Sequence, residues 1–154
     1  MGLFDGVNAA TSGLTAQRLR MDVASSNMAN ADSTRGQLVD GEWEPYRRKM
    51  VTMSSNESNF SSHLQSAMGR NENTTKGGGV QVDGIVEDQS PFEQVHQPNH
   101  PDANEDGFVE KPNVDPLKET VDMMSASRSY EANITSMNAS KNMMLKALEI
   151  GQGQ

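Results

Sequence analysis

Three acidic and amide residues and a glycine in the second half of the chain come nearest to a chemical motif. Asp102, Asn104, Asp106 and Gly107 reproduce the opening of a calcium loop, D-x-[DN]-x-[DN]-G. The twelfth position of such a loop must supply a bidentate carboxylate, and here it is Asn113, with Pro112 blocking the exiting helix. The stretch therefore reads as an acidic Asx-type turn. His96 and His100 are four apart, a zinc-chelating spacing on a helix, but Pro98 and Pro101 exclude a helix there and no third or fourth ligand stands nearby. They read as hydrogen-bonding turn histidines. Gly77, Gly78 and Gly79 could cradle a phosphate, yet no Lys-Ser or Lys-Thr follows them, so they read as a linker. Arg47, Arg48 and Lys49 form a short basic cluster that reads as a solvated strand edge discouraging edge pairing. No nucleophile elbow, zinc-protease helix or dinucleotide fingerprint occurs, and carboxylates are too scattered to single out an acid–base pair. The expectation is a protein with no catalytic residues, metal, cofactor or small-molecule substrate.

Composition narrows the class. The chain has 154 residues, with 21 acidic against 13 basic residues and a net charge of -8. That balance argues against a nucleic-acid partner, which calls for a basic face. Leu, Ile, Val and Phe together supply 26 of the residues, about 17%, a level at which a chain holds a fold poorly by itself. Eleven methionines offset this in part by filling irregular gaps. Cysteine is absent, which excludes disulfides, thiol nucleophiles and cysteine zinc sites. No apolar run approaches the ~20 residues of a membrane span. The first residues lack the basic and apolar regions of a secretory signal, and Gly6 occupies the position where myristoylation needs Ser or Thr.

The apolar residues are concentrated in periodic terminal segments. Leu3, Val7, Ala10, Leu14, Gln17, Met21, Ala24 and Met28 step by four and three, and so do Met123, Ser127, Tyr130, Ile134, Met137, Lys141, Met144 and Leu148. This stepping places each set on one helical stripe. The first helix is expected from about Phe4 to about Asn30, roughly 40 Å at 1.5 Å per residue. The last is expected from Pro116 to Ile150, with Gly151 as its stop. A weaker stripe, Ala9, Ser12, Ala16, Leu19 and Val23, lies near 200° from the first, so two opposed sides of the first helix can be buried. The last helix would cover one side, and a further subunit the other.

Between the helices the signals are those of turns and short strands. Trp43 to Met53 reads as a strand, residues 54–79 as a mobile excursion, and Val80–Val82 with Ile85–Val86 as a short strand pair or a strand bulged at Gly84. Phe92–His96 and Gly107–Val109 are further extended pieces. The expected architecture is α+β: an antiparallel coiled coil of the terminal segments, 1–34 and 115–154, with a β-rich module, 35–114, inserted between them.

Two blocks carry a family resemblance. The first, residues 24–34 (ASSNMANADST), includes Asn27 and Asn30. The second holds His100-Pro101-Asp102, Gly107-Phe108-Val109, Pro112-Asn113-Val114 and the run from Val121 to Asn133 with Ser127, Arg128, Tyr130, Glu131 and Asn133. Both resemble the signatures of the bacterial flagellar axial proteins, and the second is similar to that of proximal-rod subunits. Phe108 replaces the usual Tyr, and Asp32-Ser33 the usual Asn-Thr-Pro. The resemblance implies a structural subunit of the basal-body rod that polymerises through its terminal helices to transmit torque. Another rod or hook-type component is the alternative; a wall hydrolase would need a cleft with paired carboxylates. It further implies partners among copies of itself, other rod proteins, a rod adaptor next to the MS ring and the flagellar type III export apparatus. Export would then proceed without a cleaved signal peptide. Asn27 and Asn30 can satisfy terminal helix carbonyls or a neighbouring backbone, and Arg128 can pair with Glu131 or reach Asp22.

Overall fold

In a computed structural model of the chain, residues 3–39, 41–55 and 78–152 are described. The expected excursion, apart from its two ends, lies outside them. Two helices dominate, α1 (Leu3–Ala29) and α2 (Pro116–Gln152). Pro116 starts α2 because its missing N–H falls among groups no helix can pair. Asp115 caps it, its Oδ1 accepting from Leu117 N at 2.9 Å and Lys118 N at 3.3 Å. Gly151 does not stop α2. Nothing lies within 4 Å of where its Cβ would be, so no packing forces the chain to leave the helix there.

Among the described residues, six strands follow α1: β1 (Gln37–Val39), β2 (Glu42–Glu44), β3 (Lys49–Ser55), β4 (Val80–Glu87), β5 (Glu93–His96) and β6 (Phe108–Lys111). They pair as β1–β2, β3–β4 and β5–β6. The β1–β2 hairpin closes with Gly41 at φ 94°, a left-handed position that favours glycine. The single strand expected over Trp43–Met53 is broken into β2 and β3 by Pro45, which is buried and cannot donate to a ladder. The chain is held at the break by two backbone bonds, Gly36 N to Glu44 O at 2.8 Å and Tyr46 N to Ser33 O at 3.1 Å. β4 runs continuously through Gly84, whose carbonyl accepts from Thr52 Oγ1 at 3.0 Å.

Packing forms two compact units. Among the described residues, one combines 3–19, 52–55, 78–84 and 126–152; the other combines 20–39, 41–51 and 85–125. Each contains a stretch of both helices, and in each the helices run antiparallel. In the first, a Cβ on Gly6 would lie 3.8 Å from Ser140 Oγ, and one on Gly13 would lie 2.8 Å from Asn133 Nδ2. In the second, Asn27 bonds Glu119 and Arg20 bonds Asp122.

The contact face of α1 is thus centred on Gly6, Gly13, Arg20 and Asn27, seven residues apart. Ala10 and Ala24 flank it from the main stripe and Ala16 and Val23 from the weaker one, and all four are buried. At about 100° per residue, those two stripes straddle the contact line. Small residues on that line let the helix backbones approach closely, so their outer flanks, and not their centres, are left to other contacts. The buried apolar residues are only Ala10, Ala16, Val23, Ala24, Val109 and Ala126, among those described.

Candidate functional site

Two of the three most enclosed side chains described in the second unit are polar. Asn27 is 1% exposed and Glu119 is 2% exposed. Asn27 lies near the end of α1, Glu119 in the first turn of α2, and Arg48 just before β3; α1, α2 and the start of β3 therefore meet at one point. Burying such groups is costly unless each is satisfied, and Asn27 is satisfied fully. Its Nδ2 donates to Lys49 O at 2.8 Å and Glu119 Oε2 at 3.0 Å. Its Oδ1 accepts from Lys49 N at 2.9 Å and Tyr46 Oη at 3.0 Å. Two donors and two acceptors exhaust what a side-chain amide offers.

Arg48 completes the node. Its Nε donates to Glu119 Oε1 at 2.6 Å, and its other nitrogens lie 3.5 Å from Asp88 and 3.5 Å from Asp122. Asp122 also receives Arg20 at 2.9 Å. Burial pulls the Arg48 guanidinium down, but the hydrogen bond and charge of Glu119, then Asp88, outweigh it, and its pKa lies above the ordinary value. Asn113 braces the edge, accepting from Arg48 N at 2.8 Å and donating to Asp88 O at 3.1 Å and Ser90 O at 3.2 Å.

The basic cluster is therefore not a solvated strand edge. Arg48 is 9% exposed, Arg47 lies 4.4 Å over the Phe92 ring and Lys49 5.6 Å over that of Tyr46. The side chains that could neutralise Arg48 are 40, 71 and 74 residues away in sequence (Asp88, Glu119, Asp122), which no local pattern reveals. A signal for Asn27 was present: it stands in register with Gly6, Gly13 and Arg20 on one helix line, two of whose positions are glycine.

The turn residues occupy structural roles. Asn104 Oδ1 accepts from Asp106 N at 3.1 Å and Phe108 N at 2.8 Å, the Asx geometry. Gly107 has φ 79°. Asp102 takes Thr34 Oγ1 at 2.8 Å and Arg35 Nε at 2.8 Å, with a second bond from the Arg35 guanidinium. His100 Nδ1 accepts from Asp102 N at 3.1 Å, whereas His96 is not a turn residue: it closes β5, opposite Phe108 in the ladder, and meets that ring edge-on at 5.1 Å. Among the described residues no group of three His, Asp or Glu is placed to hold a metal ion. The network consists of mutually satisfied groups. It holds segments of α1, α2 and β3 together.

Two carboxylates, Asp88 beside Arg48 and Asp102 beside Arg35, titrate below the ordinary value. Asp88 is held below its ordinary 3.8 by Ser90, whose Oγ and N donate at 2.6 and 3.0 Å, and then by Arg48. Asp102 is held below 3.8 first by Arg35 and then by Thr34. In each case the unfolded chain takes up the proton first as pH falls. The stability they contribute is complete above the ordinary value and is lost as pH drops through the lowered ones. Urea midpoints measured from neutral pH downward are expected to fall in that window, and Asp102→Asn is expected to flatten the fall.

The remaining sequence-picked residues are distributed along both helices and the turns. Leu3 opens α1. Val7, Leu14, Met21 and Met28 on α1, and Met123, Tyr130, Ile134, Met137 and Met144 on α2, are half-buried, while Leu148 is exposed. Asn30 is half-buried, its Nδ2 donating to Ser26 O at 2.9 Å. Pro112 is buried and Pro101 exposed; Ser127 and Asn133 are half-buried, and Arg128 and Glu131 exposed.

Comparison with known proteins gives one answer at both ends of the chain. Residues 8–36 match the family model described as flagella basal body rod protein, and residues 105–150 match that of the flagellar basal body rod FlgEFG protein C-terminal. The chain is similar along its length to three proteins named flagellar basal-body rod protein FlgC. That of Bacillus subtilis is 57% identical over 152 residues, covering 99% of this chain and 100% of the relative. Those of Salmonella typhimurium and Borreliella burgdorferi are 43% and 42% identical, with the same coverage. Full-length likeness at these identities, with both terminal helices matched, places this chain in the flagellar basal-body rod protein FlgC family.

Proposed function

We infer that the chain is a structural subunit of the proximal rod of the bacterial flagellar basal body, that it performs no catalytic step, and that it assembles with other rod proteins. The observation carrying this reading is where the apolar residues sit. The monomer buries alanines and two valines, while Phe4 (69%), Leu117 (74%) and Ile150 (79%) remain exposed together with Val121, Met124, Met143, Leu145 and Leu148. Apolar surface distributed so widely along two helices calls for protein neighbours on several sides.

In this reading residues 1–34 and 115–154 form the axial core, and 35–114 the inserted module. The stripes from Val7 to Met28 and from Met123 to Leu148 become seams against adjacent subunits, copies of itself included. The rod adaptor next to the MS ring is a further partner. The flagellar type III export apparatus delivers the chain with its N-terminal segment retained, and a thin core suits a chain that must be threaded unfolded.

Substituting Ile134→Asp tests the seam. Ile134 is half-buried on α2, and a carboxylate desolvated there by a neighbour costs on the order of several kcal/mol. The variant is expected in the culture medium but absent from purified basal bodies, in non-motile cells. Normal swimming would show that no neighbour covers this seam; loss from the medium as well would place the defect in delivery or folding.

A further inference from the structure

The helix interface has a degeneracy that its packing does not resolve. Gly6 and Gly13 face Ser140 and Asn133, and Ala126, the next α2 position at this spacing, is 0% exposed. Sliding α2 by seven residues would set Ala147 opposite Gly6, Ser140 opposite Gly13 and Ala126 opposite Asn27. At the two glycines small side chains would take the places of Ser140 and Asn133, and Ala126 would move from the level of Arg20 to that of Asn27. Shape therefore discriminates weakly between the two alignments, as it does in any interface with a heptad repeat.

The polar contacts discriminate strongly. In the slid alignment Glu119 moves about 10 Å along the helix axis. Asn27 Nδ2 loses an acceptor, and Arg48 loses its 2.6 Å partner while still enclosed. A buried ion pair adds little net stability over a well-packed apolar replacement, whereas breaking one is expensive. That asymmetry suits a device that selects among alternatives.

We propose that the Asn27–Arg48–Glu119 node is a register lock: it fixes which turn of α2 lies against which turn of α1. The consequence reaches the outer surface. A slide of two turns would carry Leu117, Val121 and Met124, all exposed, to new heights beside α1, so an unlocked chain would present its neighbours with a displaced face.

The chain has no cysteine, so disulfide trapping reports the register directly. Gly6→Cys with Ser140→Cys bridges the native alignment, since a Cβ at Gly6 already lies 3.8 Å from Ser140 Oγ. Gly6→Cys with Ala147→Cys bridges the slid alignment. In the native one those positions are separated by two turns, beyond the ~7 Å Cα limit for a disulfide. Both pairs are oxidised in purified full-length chain, with the same chain in concentrated urea as the unfolded reference. With the node intact, only the 6/140 pair is expected to bridge above its urea reference. With Asn27→Leu, Arg48→Met and Glu119→Leu together, bridging of the 6/147 pair is expected to rise about tenfold or more. A triple variant that folds and still bridges 6/140 alone overturns the lock. If the triple variant matches its urea reference, Arg48→Met with Glu119→Leu decides, because it removes every contact Glu119 makes in the node while Asn27 keeps its bonds to Lys49 and Tyr46. A rise in 6/147 bridging then supports the lock, and native-only bridging overturns it.

Discussion

Arg48→Met is expected to destabilise the chain by about 3–5 kcal/mol, the cost of breaking a buried ion pair by removing one partner. Methionine fills much of the same space but leaves the 2%-exposed Glu119 carboxylate with Asn27 Nδ2 alone. A marginal fold with few large buried apolar residues has little stability to lose, so the variant is expected unfolded or degraded, and absent from rods. Adding Glu119→Leu removes the stranded charge and is expected to restore most of the loss, because the pair is worth far less than either half alone. Urea denaturation of the single and double variants measures this. Equal damage in both would show that Arg48 acts through packing and not through Glu119.

Gly36→Ala is expected to have the next largest effect, about 3 kcal/mol, at the upper range of overpacking costs. A Cβ at Gly36 would lie 2.5 Å from both the nitrogen and the Cα of Tyr46. Those are backbone atoms, held by the Tyr46 N to Ser33 O bond at 3.1 Å and the Gly36 N to Glu44 O bond at 2.8 Å, and cannot swing aside as a side chain would. Relief requires opening that crossing, which also displaces Tyr46 Oη from Asn27. Gly13→Ala provides the contrast. Its Cβ would meet only the end of the Asn133 side chain, which can rotate away, and alanine favours the helix by about 1 kcal/mol. Thermal unfolding is expected to rank Gly36→Ala well below Gly13→Ala. The reverse order would mean that the Gly36 crossing is not held as tightly as its bonds indicate.

Local and periodic features were legible in the residues themselves. Both helices begin within one residue of their expected starts and end within two of their expected ends, since a three–four apolar period and a proline at the first turn are carried by neighbours in sequence. The Asx turn at Asn104 and the turn role of His100 were likewise readable, because each bonds residues within four positions. The strand break at Pro45 was readable in principle from the missing N–H. It was obscured because the residues on either side have good strand character.

The amino-acid sequence by itself determined that the chain is α+β, that its three–four apolar stripes lie in two terminal helices, and that it belongs with the flagellar axial proteins. These follow from periodicity, composition and contiguous signatures, which need no knowledge of distant contacts. Tertiary structure decided which line of α1 meets α2, because the choice among stripes depends on how closely two backbones approach, and glycine and alanine permit what leucine and methionine do not. It also decided the fate of Arg48. A basic residue in a polar segment looks solvated until the fold brings carboxylates from 40 and 71 residues away (Asp88, Glu119). Only that convergence makes a buried charge tolerable, so no reading of its neighbours could have placed it there.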